Sequence, residues 1–219
     1  MPQGAETERV GPKSGRDERR GRVYLGIQHP LNRQVAVKIL SPEFQAKDPQ
    51  FVRRFFLEAA TAARLNHPNS ITIFDYGETE RGELFIAMEY LRGRPLSRVI
   101  AADSPMPAQR VLHVSMQIAR ALREAHAKGI IHRDFKPANV LLDEQGNTYL
   151  ADFGLARIAQ TASNITGASI LGTPAYMATE QTDAEDPTSA VDIYAFTVTV
   201  YQMLTGKLPY NAPTASGML

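Results

Sequence analysis

The feature that most constrains this chain is a polar octapeptide, His132-Arg133-Asp134-Phe135-Lys136-Pro137-Ala138-Asn139, followed by Asp152-Phe153-Gly154. Asp152 comes eighteen residues after Asp134. Before the octapeptide, Pro107 to Lys128 carries Val111, Leu112, Ser115, Ile118, Ala119, Leu122 and Ala125 at helical spacing, with Pro at its start and Gly129 at its end. After it, Val140–Leu142 and Thr148–Ala151 carry short strand signals. Two carboxylates, a lysine and an asparagine are therefore held on connections between regular elements. Asp134 can accept or orient a hydroxyl proton, Lys136 can meet developing negative charge, and Asn139 and Asp152 offer oxygens to a divalent cation. Those are the groups that phosphoryl transfer requires. Taken singly, the octapeptide could be a solvated loop and D-F-G an ordinary turn; their spacing makes the combination specific.

A third constellation lies upstream. Lys38 sits in Val35-Ala36-Val37-Lys38, within an apolar strand, and a buried ammonium needs a counter-charge or a phosphate. Glu58 interrupts the apolar face of a helix expected over Phe51 to Leu65, with Phe51, Phe55, Ala59 and Ala62 on its inner side, and is the expected partner. The alternative is an exposed strand lysine and a solvated helix glutamate.

The remaining pattern divides the chain. Residues 1–20 are polar and without hydrophobic period, so a disordered or non-native segment is expected there. Residues 21–91 read as a small β-rich unit, with strands over Arg22–Gly26, Gln34–Leu40, Ile71–Tyr76 and Leu84–Tyr90 plus the helix. Residues 92–219 read as a mainly helical unit whose final apolar helix spans Thr188 to Leu204. Hydrophobic residues make up 43% and charged residues 21% of 219, ordinary for a globular protein. The net charge of +1 gives no ground for a nucleic-acid partner. The absence of cysteine removes disulfides, thiolate catalysis and cysteine-based zinc sites, and fits a reducing compartment. No apolar run approaches the ~18–20 residues of a membrane span, and the N-terminus lacks the apolar core of a secretory signal. A cytoplasmic location is the default expectation.

VAVK, HRDFKPAN, DFG and Gly172-Thr173-Pro174-Ala175-Tyr176-Met177, in this order, resemble a protein kinase of the bacterial serine/threonine type over Gly21 to Asn211. The resemblance implies an α+β, two-lobed fold: a small β-rich N-lobe with one helix, and a helical C-lobe lacking its last helices. It implies transfer of the ATP γ-phosphate to Ser or Thr hydroxyls of protein substrates, with Mg2+, and autophosphorylation in trans. On this analogy Lys38 holds the α/β-phosphates and pairs with Glu58, Asp134 is the catalytic base, and Lys136 contacts the γ-phosphate. Asn139 and Asp152 would hold Mg2+. Met88 would be the gatekeeper, Glu89 to Leu91 the adenine-binding hinge, and Val23, Ala36 and Leu141 the walls of the adenine pocket. Asp192 resembles the aspartate that anchors the HRD backbone; otherwise it is a helix-terminal acid favoured by the dipole. His126 is expected to be structural. Arg157 to Glu180 resembles an activation segment, with Thr161, Ser163, Thr166 and Ser169 as candidate phosphosites and Arg133 as a phosphate partner. Thr173 resembles the threonine that contacts the catalytic Asp and Lys.

Several positions depart from the family pattern. The glycine-rich loop G-x-G-x-x-G-x-V aligns its last glycine with Gly21 and its valine with Val23, which puts Arg16 and Glu18 where the other glycines belong. Long side chains there obstruct close approach of backbone N–H groups to phosphate, and no strand pattern precedes them. A-P-E appears as Ala178-Thr179-Glu180, and Thr197 replaces a glycine. The abrupt change of pattern at Gly21 is that expected of an altered start, and the stop at Leu219 that of a fragment. On that view Glu180 is left buried without its arginine, and the last helix exposes an apolar face prone to self-association. An impaired kinase fragment or pseudokinase, acting as a nucleotide-binding or interaction module, is therefore the alternative to a working enzyme. A small-molecule kinase of the aminoglycoside or choline type fits less well, because GTPAYM is suited to holding a peptide.

Overall fold

The computed structural model describes residues 7–8, 21–42, 45, 50–153, 174–181 and 187–210. Strands β1 (Thr7–Glu8), β2 (Arg22–Gln28), β3 (Arg33–Ile39), β4 (Ile73–Glu78) and β5 (Leu84–Glu89) form one antiparallel sheet in the order β1-β2-β3-β5-β4. Alternation sets its two faces. Val35 and Val37 pack with Ala87 on one side, whereas Leu84, Ile86 and Met88 on the other meet helix α1 (Phe51–Ala63). The predicted inner stripe of α1, Phe51, Phe55, Ala59 and Ala62, is fully buried. Burying a Phe side chain stabilises by about 1.5–3 kcal/mol, so Phe51 and Phe55 fix this helix on the sheet.

β1 differs from the sequence expectation. Thr7 and Glu8 pair with Gly26 and Leu25 of β2, although residues 1–20 show no strand period. An edge strand of two residues needs only backbone donors and acceptors from its neighbour, so it leaves no side-chain pattern to read.

The second lobe is built from strands β6 (Gly93–Pro95), β7 (Val140–Asp143) and β8 (Thr148–Leu150), and helices α2 (Leu96–Asp103), α3 (Ala108–Ala127) and α4 (Ala190–Thr205). Its core joins Leu96, Val99 and Ile100 of α2 with Val111, Val114, Ile118 and Leu122 of α3, Leu150 of β8, and Ala195 and Met203 of α4. Ala62 and Leu65 contribute to the same cluster, which fastens the end of α1 to this lobe.

The inner face of α3 is rotated from the expectation. Val111, Ile118, Leu122 and Ala125 are buried as anticipated, but Leu112 is 61% exposed and Ala119 is exposed too. Val114, Gln117 and Ala121 take the inward places. The stripe 111, 114, 118, 121, 122, 125 follows the i, i+3, i+4, i+7 rule closely, and Gln117 joins it because its amide is hydrogen-bonded throughout.

Candidate active site

The octapeptide leaves α3 after Gly129, whose φ of +71° ends the helix in the left-handed conformation favoured by glycine. Ile130 and Phe135 are buried, and Pro137–Asn139 form a short 3-10 turn leading into β7. Tethered at both ends, the loop brings together three of the expected site residues. Lys136 Nζ donates to Asp134 Oδ1 and Oδ2 at 2.9 and 2.8 Å. Asn139 Nδ2 donates to the Asp134 carbonyl oxygen at 2.8 Å and to Oδ2 at 3.3 Å. A carboxylate held by an ammonium and an amide is fixed in one orientation.

Asp192, in the first turn of α4 and 1% exposed, supports the loop from below. Its Oδ2 accepts from His132 N and its Oδ1 from Arg133 N, both at 2.8 Å, as the resemblance implied. His126 Nε2 lies 2.8 Å from Asp192 Oδ2, so the structural reading of His126 holds and its partner is this carboxylate. Burial would raise the Asp192 pKa, yet the bond from His126, the nearby His132 ring and the two backbone N–H groups together hold it below the ordinary value. His132 Nε2 meets the Ala151 carbonyl at 3.0 Å, which places the ring proton on Nε2.

Lys38 departs from its expected pairing. Its Nζ donates to Asp152 Oδ1 at 2.8 Å and not to Glu58. Glu58 instead lines a pocket of about 190 Å³ with Leu57, Thr61, Ala62, Ile131 and Arg133. The physical reason is that a largely buried ammonium needs a counter-charge, and the Asp152 carboxylate at the exit of β8 lies within hydrogen-bond distance of it. Phe153 packs beneath, its ring 4.7 Å from that of His132, within the core cluster that holds Ala62. Arg133 and Asp152 both have positive φ, +66° and +65°. For non-glycine residues this conformation is strained, and such strain gathers where side chains must be aimed.

The residues expected around adenine are partly assembled. Ala36, Leu91 and Leu141 pack against the cluster that contains Met88, and Ala36 stands opposite Met88 across β3 and β5. Glu89 ends β5, and its N–H donates to the Thr72 carbonyl at 2.9 Å. Val23 pairs with Lys38 across β2 and β3 without joining that cluster. Gly21 has φ +127°, and a Cβ there would run into the Ile39 carbonyl, so this position requires glycine. Arg16, Glu18, Gly154, Thr161, Ser163, Thr166, Ser169 and Thr173 lie outside the described residues.

Sequence reasoning missed Gln181. It follows Glu180, and its Nε2 donates to the Arg133 carbonyl at 2.9 Å while its Oε1 accepts from Ala178 N at 3.1 Å. The segment 174–181 is thereby tied to the octapeptide, and Tyr176 and Met177 border Asp134 and Lys136. Glu180 is exposed, which corrects the expectation of a buried carboxylate and removes the burial penalty attached to it. Thr197 is also exposed and bonds its own helix through the Ile193 carbonyl.

Comparison with known proteins decides the family: the model of the protein kinase domain matches residues 18–218. The chain belongs to the protein kinase domain family. It is 38% identical to the serine/threonine-protein kinase pkn3 of Myxococcus xanthus over 90% of its own length and 37% of that relative. It is likewise 38% identical to PrkC of Bacillus subtilis, over 88% of this chain and 30% of the relative. PknA of Mycobacterium tuberculosis gives 38% over 87% and 45% respectively. This kinase domain thus spans less than half the length of those relatives. The crystal structure of the kinase domain of PknI from Mycobacterium tuberculosis is similar at a TM-score of 0.76 and 33% identity, covering 95% of this chain and 75% of that one. The two-lobed α+β kinase fold is therefore present. Among the described residues no helix is long and apolar enough to cross a membrane.

Proposed function

We propose that this domain transfers the γ-phosphate of ATP to serine or threonine hydroxyls of protein substrates, itself included in trans, and uses Mg2+. The observation that carries this reading is the cluster of Asp134, Lys136 and Asn139 on one anchored loop, facing segment 174–181. The Asp134 carboxylate is the group assigned to the substrate hydroxyl, accepting its proton as the oxygen attacks. Lys136, already 2.8 Å from that carboxylate, is placed to contact the transferring phosphoryl group. Tyr176 and Met177 would border the peptide.

The residues present fit a magnesium–nucleotide complex. Asn139 uses its NH2 on Asp134, which leaves Oδ1 for a cation, and Asp152 supplies a carboxylate oxygen. One or two protein oxygens completed by phosphates and water match the way Mg2+ is commonly held. Asn139 and Asp152 would hold the ion, which would supply positive charge against the charge that develops in phosphoryl transfer. Lys38 would exchange Asp152 for the α/β-phosphates, with Glu58 on α1 as its expected carboxylate partner. Ala36, Met88, Leu91 and Leu141 would enclose the adenine ring, with Val23 above it and the Glu89–Leu91 backbone bonding its edge.

The test compares the parent chain with Asp134→Asn in Mg2+-ATP, read by phosphopeptide mass spectrometry. Phosphate on the parent and none on the variant supports the reading. ATP binding by a folded parent with no phosphate on itself or on added protein would sink it in favour of a nucleotide-binding module.

A further inference from the structure

Gln117 is a buried polar residue that the proposed mechanism does not use. It sits on the inner face of α3, 8% exposed, among Val114, Ile118, Ala121 and Leu150. An amide in such surroundings destabilises the fold unless it is bonded, and this one is bonded at both ends. Its Oε1 accepts from Asn69 Nδ2 and from Thr148 N, each at 2.8 Å. Its Nε2 lies 2.8 Å from His113 Nε2 and 3.4 Å from the Gly146 carbonyl. Asn69 Nδ2 also donates to the Thr148 carbonyl at 2.9 Å. Asn69, Gln117 and Thr148 therefore form a closed ring of three bonds.

The ring joins the two parts of the molecule that must cooperate on a nucleotide. Asn69 lies between α1 and β4, in the unit that carries Lys38 and Glu58. Thr148 opens β8, the strand that runs directly to Asp152. Two backbone bonds continue the seam: Leu150 N donates to the Asn69 carbonyl at 2.9 Å, and Ile71 N to the Leu150 carbonyl at 2.8 Å. Only Ala151 separates this seam from Asp152, and Ala151 is itself held by Asn139 and His132.

We propose that Gln117 is a positioning residue that locks the 67–70 loop to β8 and so sets the spacing between Lys38 and Asp152, the groups that grip the phosphates and their metal. The inference rests on the ATP-binding reading above. Gln117 touches no substrate and acts through the two elements it joins. A purely structural amide would change stability and weaken every ligand alike. A spacing device acts on ligands that engage both Lys38 and Asp152, and leaves alone those that occupy only the adenine pocket.

The test measures binding of two probes, Mg2+-ATP and adenosine, by calorimetry to the parent chain and to Gln117→Met, which fills the same space without hydrogen bonds. We expect the dissociation constant for Mg2+-ATP to rise roughly fivefold to tenfold, the scale of a lost hydrogen-bond constraint, with adenosine changed by less than about twofold. Equal changes for both probes, or none for Mg2+-ATP, overturn the proposal. Should Gln117→Met fail to fold, Asn69→Ala, which leaves the α3 core intact, decides on the same ratio. A parent chain that binds adenosine without Mg2+-ATP, or neither, fails the ATP-binding reading itself, and that result is visible before any variant is made.

Discussion

Lys38 on β3 and Asp152 at the exit of β8 form a 2.8 Å ion pair across 114 residues of sequence. It joins a strand of the first lobe to the end of a strand of the second. Lys38→Met and Asp152→Asn should each lower the rate of phosphate transfer by about 10²–10³, the scale of losing one positioned electrostatic contact. Each should keep a folded far-ultraviolet circular dichroism spectrum. A double variant no slower than either single one is expected, because the two groups serve one ligand. Initial rates on a protein substrate check this, and additive losses would contradict it.

Asp192→Asn keeps one acceptor but turns an NH2 toward one of the N–H groups of His132 and Arg133. Its cost in urea unfolding should be about 2–3 kcal/mol, because a bond to a buried charged group is lost and a donor is left unmet. His126→Phe removes one bond to the same buried carboxylate and should cost about 1.5–3 kcal/mol.

Acid should destabilise the fold in two separate ranges. Burial lowers the His67 pKa beneath 6.5, so the unfolded chain takes up a proton first and stability falls as pH drops through 6.5, levelling once the folded imidazole also titrates. The geometry agrees, since His67 Nδ1 accepts from Asn69 N at 3.0 Å and a protonated nitrogen cannot accept. Asp192 has the opposite chemistry and the same direction. Its folded pKa lies below 3.8, so its contribution is complete above that value and is lost as pH falls through the lower folded value. Denaturation midpoints between pH 8 and 3 should show the first loss disappear in His67→Gln while the second remains.

Ile193, Tyr194, Tyr201 and Leu204 are exposed along α4. A contiguous apolar face of this kind promotes association. Sedimentation velocity should give a mass that grows with concentration, and Tyr201→Lys with Leu204→Lys should return it toward a single species. An unchanged distribution would show that this face is not responsible.

The candidate cluster was legible because its residues cannot be explained by packing: Asp134, Lys136, Asn139 and Asp152 stand on short connections between apolar elements, and the first three of them meet in the fold. The α1 stripe was equally clear, since Phe51, Phe55, Ala59 and Ala62 all point inward. Helix α2 was available but unread: Leu96, Val99 and Ile100 follow Pro95 at helical spacing, in a segment too short to stand out. The partner of Lys38 could not be read, because two carboxylates compete for one ammonium and the winner depends on where α1 rests. Gln117 and Gln181 were invisible for a related reason. Their value lies in backbone groups of distant segments, and a lone glutamine in a sequence announces nothing about those.

The tie between Asp192 and the HRD backbone has a thermodynamic consequence for catalysis. The loop that carries Asp134 is held by the fold itself, so on the proposed reading a peptide hydroxyl would meet a carboxylate already fixed in place. The entropy of alignment is charged to folding. On the proposed reading the contact that a nucleotide would rearrange is the Lys38–Asp152 pair, so a signal that shifts β3 would act there while the loop carrying Asp134 stays fixed.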